Sequence, residues 1–129
     1  MGKINSKKKG SRGERELAAE INKLFPGSGA RRSQQFCGAV AGDADLKTLI
    51  PKLHLECKRT EKLNLSKAIE QATNDAGKTA SIPVVASKKN RENWLVTCWL
   101  DDLPALAALL VEFKNRKEEG NNEEYGTPD

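Results

Sequence analysis

A short alternating segment in the middle of the chain constrains the fold more than any other stretch. In Leu53-His54-Leu55-Glu56-Cys57-Lys58, apolar residues alternate with polar ones, which is the period-2 pattern of a half-buried β-strand. One face of this strand carries the Glu56 carboxylate and the Lys58 ammonium, about 7 Å apart along the chain. Asp45 precedes the strand across a turn segment containing Pro51, which is long enough for Asp45 to lie on a neighbouring strand. Two carboxylates and a lysine placed together suit a hard divalent cation and an oriented water.

Alternatives exist for each part of this segment. Asp43 competes with Asp45 as the upstream acid, and Asp45 is favoured because Leu46 follows it where a strand begins. Glu56 and Lys58 are alternatively an ion pair on an exposed strand face, which would stabilise the fold by at most ~1 kcal/mol.

A zinc site is the second metal hypothesis, and the sequence argues against it. Its ligands would be Cys37, His54, Cys57 and Cys98, which contain no C-x₂₋₄-C pair. The strand alternation also places His54 and Cys57 on opposite faces.

The length of 129 residues predicts one domain with a modest core. We expect a disordered basic arm over residues 1–9, a single domain over 10–117 and a disordered acidic tail over 118–129. No apolar run approaches the ~18 residues of a membrane span, and the basic amino terminus is not followed by an apolar signal region. Three widely spaced cysteines indicate reduced thiols in a cytosolic protein.

Charge is distributed unevenly along the chain. Residues 1–32 contain nine Lys/Arg against three Asp/Glu, whereas residues 101–129 contain three against eight. A basic amino-terminal region suits the binding of a polyanion such as a nucleic acid, because each phosphate that it neutralises releases counterions. The alternative is that Lys7-Lys8-Lys9 is only a solvated leader.

The remaining pattern predicts helices that alternate with strands. A first helix should begin at Ser11, with Glu14 in capping-box spacing; Glu14 is therefore either a reciprocal cap or a site residue. A second helix should begin after the N-cap Asn64. We expect a buried strand at Ile82–Ser87, a strand at Trp94–Trp99 that is covered on both faces, and a last helix capped by Asp101 or Asp102.

Asp45, ten intervening residues and the Glu-x-Lys of residues 56–58 together resemble the core of PD-(D/E)xK nucleases. Lys9-Gly10-Ser11-Arg12-Gly13-Glu14-Arg15 on the first helix and Gln71-Ala72 on the second resemble the archaeal and phage Holliday-junction resolvases. Ala44 stands where the family name places proline. The resemblance spans roughly residues 9–100 and implies a restriction-endonuclease-like α/β fold, with a mixed central β-sheet flanked by helices.

The resemblance also implies roles for particular residues. The expected catalytic residues are Glu14, Asp45, Glu56, Lys58 and Gln71. Mg²⁺, for which Mn²⁺ would substitute, is expected on Asp45, Glu56, the backbone carbonyl of Cys57, and Glu14, and the products would be a 5′-phosphate and a 3′-hydroxyl. The expected DNA contacts are Lys9, Arg12, Arg15, Arg31, Arg32, Ser33, Arg59, Lys88 and Lys89, with Ser28 as the alternative to Ser33.

The expected function is metal-dependent cleavage of four-way DNA junctions in recombination or repair. The partners would be branched double-stranded DNA and a second copy of the chain, without a membrane or a small-molecule cofactor, in the cytoplasm of a bacterial or phage-infected cell. Two alternatives stay open at this point. One is another nuclease of the same fold, such as a flap, nicking or restriction-like enzyme, and the other is a DNA-binding module of this fold that does not cleave.

Overall fold

A computed structural model describes residues 6–33 and 44–124 of the chain. These residues form three α-helices, five β-strands and a short 3₁₀ helix at Leu100–Asp102. The helices are α1 (Ser6–Leu24), α2 (Leu65–Gly77) and α3 (Leu103–Glu124), and the strands are β1 (Arg31–Arg32), β2 (Leu46–Lys47), β3 (Leu53–Arg59), β4 (Ile82–Lys88) and β5 (Leu95–Thr97).

The strands form one mixed sheet in the order β1-β2-β3-β4-β5. β3 and β4 are parallel and are joined by α2, whereas the other three neighbouring pairs are antiparallel. The parallel register places Glu56 beside Val85 and Lys58 beside Ser87. The predicted α/β class with a mixed sheet flanked by helices is therefore confirmed.

Both faces of the central strands are covered, and each face has its own apolar cluster. Helix α1 and the start of α3 pack on one face through Leu17, Leu55 and Leu106, among others. Helix α2 covers the other face, where Ile69 and Ala72 pack on Val85. Because neighbouring residues in register share a face, Glu56 lies on the side that α2 covers.

Strand β3 is more buried than its alternation predicted. Glu56 is only 5% exposed and His54 only 4%, so the alternative of an ion pair on an exposed strand face is wrong. The physical reason is that β3 is the central strand of five, and α2 closes the face on which its polar side chains stand.

The ends of the helices differ from the predicted bounds. Helix α1 begins at Ser6, so Ser11 lies inside the helix and does not cap it; the straight-chain lysines before it are good helix formers. Helix α3 continues to Glu124. Residues 6–9 and 118–124 are therefore helical where a disordered arm and tail were expected. The N-cap of α2 is as predicted, since Asn64 Oδ1 accepts a hydrogen bond from the Lys67 N–H at 3.1 Å.

The prediction of a last strand covered on both faces is wrong. β5 has three residues and lies at the edge of the sheet, and Leu95 and Val96 are both exposed. Trp94 and Cys98 do pack on the main apolar cluster. An edge strand has one neighbour only, and the described helices leave its middle residues uncovered.

Within the described part of the chain, no helix is long and apolar enough to cross a membrane. Cys57 and Cys98 are free thiols, whereas Cys37 lies outside the described residues.

Candidate active site

The site is built where β2 meets the middle of β3. Asp45 stands immediately before β2, and Leu46 of β2 pairs with Leu55 of β3. This pairing brings the Asp45 side chain across to β3, where its Oδ2 accepts a hydrogen bond from the Cys57 N–H at 2.8 Å. The two acids separated by ten residues in the sequence are therefore adjacent in space.

The half-buried Asp45 and the buried Glu56 form a carboxyl pair. Burial and the hydrogen bond with Glu56 raise the pKa of Asp45 to about 7, although the Cys57 N–H opposes this rise. For Glu56, burial raises the pKa, but hydrogen bonds from His54 and Asp45 and the charge of Lys58 outweigh it and lower the pKa. Without a cation, a proton on Asp45 is therefore favoured up to about pH 7, and Glu56 is the partner that ionises first.

Glu14 approaches this pair from helix α1. It forms an ion pair with Arg32, with Nε and Oε1 3.6 Å apart. Burial raises the pKa of Glu14, and this rise persists although the Arg32 charge opposes it. The charge of Glu14 in turn contributes to the raised pKa of Asp45. Glu14 is thus a third acid of the site and not the cap of Ser11.

Ser33 braces the segment that carries Asp45. Its N–H donates to the Asp45 carbonyl at 3.0 Å, and its hydroxyl donates to the Ala44 carbonyl. Ser28, the alternative, is buried in a different network and donates to Asn22 Oδ1 at 3.0 Å. Of the two serines, Ser33 is therefore the one at the site. Asp43, the competing acid, lies outside the described residues.

Lys58 and Gln71 complete the predicted set. Lys58 stands two residues after Glu56 on the same strand face, and its charge contributes to the lowered pKa of Glu56. Gln71 is exposed on α2, one helical turn before Asp75. The structure brings Glu14, Asp45, Glu56 and Lys58 together, whereas Gln71 is exposed on α2.

The predicted DNA-binding cations fall into two groups. Arg12, Arg15, Arg31 and Lys89 are exposed. Arg32, Arg59 and Lys88 are held by acids, Arg32 by Glu14 and the other two by Glu16, with N–O distances of 3.1 Å for Arg59 and 3.4 Å for Lys88. Lys9 lies in α1.

Three residues of the site were not singled out as site residues from the sequence. His54 Nε2 lies 2.7 Å from Glu56 Oε1, and donor atoms of His54, Glu56 and Asp75 all lie within 4.8 Å of one another. The sequence spacing could have pointed to His54 and Asp75. His54 shares the strand face of Glu56, and Asp75 is four residues after Gln71 on a helix. Glu16 gave no such signal, because its partners are 43 and 72 residues away.

The donor set fits a divalent cation. Asp45 and Glu56 are hard oxygen ligands. Two adjacent carboxylates repel each other when both are ionised. A cation bound between them in place of a proton would relieve this repulsion. The Cys57 thiol does not belong to this set. Burial and the nearby carboxylates raise its pKa to about 12, so the thiol stays neutral, and its side chain is on the α1 side near Gly13.

A mixed sheet with Asp and Glu-x-Lys on adjacent central strands defines the restriction-endonuclease-like class of nuclease folds. The family model described as "Phage putative PDDEXK endonuclease" matches residues 5–121 of the sequence. The chain belongs to this family of PD-(D/E)xK nucleases.

The chain is also similar to the solved structure of Hjc from Archaeoglobus fulgidus, described as a Holliday junction resolvase from an archaeal hyperthermophile. The TM-score is 0.52 and the sequence identity 25%, over 67% of this chain and 74% of that one. Comparison with curated proteins gave no match. The predicted recognition of a resolvase-like PD-(D/E)xK protein is confirmed.

Proposed function

We propose that this protein is a metal-dependent, structure-specific endodeoxyribonuclease that cleaves four-way DNA junctions. The observation that carries the proposal is the pair of the half-buried Asp45 and the buried Glu56, with Lys58 beside Glu56 on β3. The similarity to an archaeal Holliday junction resolvase supports the choice of a branched substrate. The protein would act in the cytoplasm of a bacterial or phage-infected cell.

Each residue of the site would have a distinct role. Asp45, Glu56 and the carbonyl of Cys57 would hold Mg²⁺, with Mn²⁺ as a substitute, and Glu14 would lie at the edge of the same site. When bound, the cation supplies Lewis-acid stabilisation of the phosphate and activation of a water. Lys58 would orient the attacking water and offset negative charge that develops on the scissile phosphate.

The DNA surface would follow the exposed cations around this site. Arg12 and Arg15 on α1 and Arg31 on β1 are exposed and would bind phosphates, where a guanidinium can bind two oxygens at once. Lys89 follows β4 and would extend the same surface. Gln71 would reach from α2 to contact a phosphate near Lys58.

A homodimer is the expected assembly, because two symmetric cuts in a junction need two sites. The exposed apolar side chains around β5 and the start of α3 support this edge of the sheet as the surface for a second copy. They are Leu95, Val96, Trp99, Leu100 and Leu103. An unpaired edge strand with apolar side chains also favours association over exposure to water.

The dimer is tested by a matched pair of variants. Leu95 and Leu24 are 66% and 64% exposed, but only Leu95 lies in the proposed interface. Leu95→Glu should give a monomer by light scattering and change paired cuts into single nicks, whereas Leu24→Glu should stay like the wild type. A monomeric wild type at working concentration, or a dimer that survives Leu95→Glu, would contradict this assembly.

The activity is tested with labelled four-way junction, flap and duplex DNA in Mg²⁺ or EDTA. The variants are Glu56→Gln and Lys58→Met, with the exposed residues Glu20 and Lys62 changed in the same way as controls. Paired symmetric nicks on the junction, lost in EDTA and in both site variants but kept in both controls, support the proposal. Preference for flap or duplex would move the function to another nuclease of this fold. Binding without cleavage of any substrate would make the protein a DNA-binding module.

A further inference from the structure

The one histidine of the chain is buried against the site. His54 is 4% exposed and stands two residues before Glu56 on the same face of β3. Its Nε2 and Glu56 Oε1 are 2.7 Å apart, which is the distance of a strong charge-assisted hydrogen bond. None of the roles proposed above uses this imidazole.

The chemistry of the pair assigns the direction of the hydrogen bond. When Glu56 is ionised, its carboxylate has no proton to donate, so the hydrogen of this bond then lies on His54 Nε2 and is donated to Glu56 Oε1. The outermost torsion of a glutamate side chain is broad and roughly two-fold, so the carboxylate plane of Glu56 would otherwise be free to rotate. A hydrogen bond from the imidazole restricts this rotation and engages only Oε1 of the two carboxylate oxygens.

Helix α2 closes this arrangement from outside. Asp75 presents a carboxylate oxygen within 4.8 Å of the donor atoms of both His54 and Glu56. Lys78 is the C-cap residue of α2, and its Nζ lies 3.6 Å from Asp75 Oδ1 and balances its charge. The imidazole is therefore enclosed between a central strand and a covering helix, and cannot turn away from Glu56 without disturbing the packing.

We propose that His54 is a positioning residue that holds Glu56 in the orientation required to bind the divalent cation. The inference rests on the proposed function, since it assigns a role toward the cation of that same site. Groups that orient a metal ligand without touching the metal typically change metal affinity 10–100-fold when removed. His54 stands in this relation to Glu56.

The rival arrangement makes His54 itself a ligand, with Glu56 and Asp75, of a second cation. Imidazole nitrogen would favour Mn²⁺ or Zn²⁺ over Mg²⁺. The structure favours the positioning role, because the Nε2 atom that would bind such a cation is engaged with Glu56 Oε1 at hydrogen-bond distance. The two arrangements make opposite predictions for the proton on Nε2.

The first test is a matched pair of substitutions. The amide nitrogen of Gln reaches about as far as Nε2 of histidine, whereas that of Asn ends at the level of Nδ1, so only His54→Gln can still donate to Glu56. Isothermal titration of Mg²⁺ into the metal-free protein without DNA should show about ten-fold weaker binding for His54→Asn, and binding within about three-fold of the wild type for His54→Gln. The Mg²⁺ concentration for half-maximal cleavage should move in the same order, with most of the rate regained at saturation.

The second test needs no substitution and so does not depend on the variants folding. Because the chain has a single histidine, its imidazole signals in a ¹⁵N–¹H NMR spectrum belong to His54 without further assignment. A proton on Nε2, in the metal-free protein and in Mg²⁺ alike, supports the positioning role. Protonation of Nδ1 with a bare Nε2 overturns it.

Further outcomes of these experiments would support or overturn the positioning role of His54. Unchanged Mg²⁺ affinity in His54→Asn, or equal losses in both variants, would overturn the proposal. A second Mn²⁺ bound per chain in the wild type and lost in both variants would make His54 a ligand instead. If junction DNA is not cut but Mg²⁺ affinity falls in the expected order, the positioning role stands and the proposed substrate falls.

Discussion

Asp45→Asn should make the metal-free protein more stable while abolishing cleavage. An asparagine repeats the hydrogen bonds of a protonated Asp45: its amide oxygen accepts from the Cys57 N–H, and its amide nitrogen donates to Glu56. It carries no charge, so the repulsion between two ionised carboxylates does not arise. The repulsion between the two acids that would bind the cation should therefore lower the stability of the fold when the cation is absent.

The size of the effect follows from the pKa of Asp45, which rises from 3.8 to about 7 in the folded protein. Each pKa unit corresponds to about 1.4 kcal/mol, so the ceiling is roughly 4 kcal/mol, and relaxation of the site would reduce it to about 2. Since the folded pKa is raised, the folded state binds the extra proton between pH 3.8 and about 7. The wild type therefore loses stability relative to Asp45→Asn as the pH rises through this window.

The assay is thermal and urea unfolding of both proteins in EDTA, near pH 5 and near pH 8. We expect an advantage for Asp45→Asn of about 2 kcal/mol at the higher pH, or roughly 5–10 °C in Tm for a domain of this size. At the lower pH we expect only about a third of this advantage, because pH 5 lies about a third of the way from 3.8 to about 7. Mg²⁺ should stabilise the wild type through binding to the folded state, and should have little effect on the variant.

Two results would refute this reasoning. One is an Asp45→Asn protein that is less stable than the wild type near pH 8 in EDTA, which would mean that the carboxyl pair does not strain the metal-free fold. The other is an advantage that stays constant with pH, which would assign it to a cause other than ionisation of Asp45. Asp75→Asn is a suitable control, because it neutralises another carboxylate near Glu56, one that pairs with Lys78.

Two further variants test how α1 packs and how Glu16 acts. In urea unfolding, Gly13→Ala should destabilise the fold by about 1–3 kcal/mol, because the new Cβ would lie 2.6 Å from Arg59 Cβ. Gly10→Ala on the same helix should stabilise the fold by about 0.5–1 kcal/mol, because its Cβ would meet nothing within 4 Å. Equal effects of the two would contradict the close approach of α1. Glu16→Gln should release Arg59 and Lys88 from their ion pairs, so DNA binding should tighten at low salt and its salt dependence steepen by about one ion per freed contact. An unchanged slope in filter binding would show that these cations do not face DNA.

Much of the fold could be predicted from local pattern. The alternation of residues 53–58 predicts a strand, the run at Ile82–Ser87 a buried one, and the Asn64 cap the start of α2; all three are present. These signals are local, because side-chain periodicity and capping depend on residues within a turn or two. The open face of β5 could not be predicted in this way, because it depends on which helices pack against the sheet.

The sequence by itself determined the motif: which acids, at what spacing, with a lysine two residues after the second. It also determined the family, because the motif residues occur in a fixed order along one chain. Only the tertiary structure decided that burial and Glu56 raise the pKa of Asp45, that Arg32 pairs with Glu14, and that His54 Nε2 lies at hydrogen-bond distance from Glu56. The reason is physical: a carboxylate's protonation and orientation depend on burial and on neighbours brought from distant parts of the chain, and no local pattern specifies those neighbours.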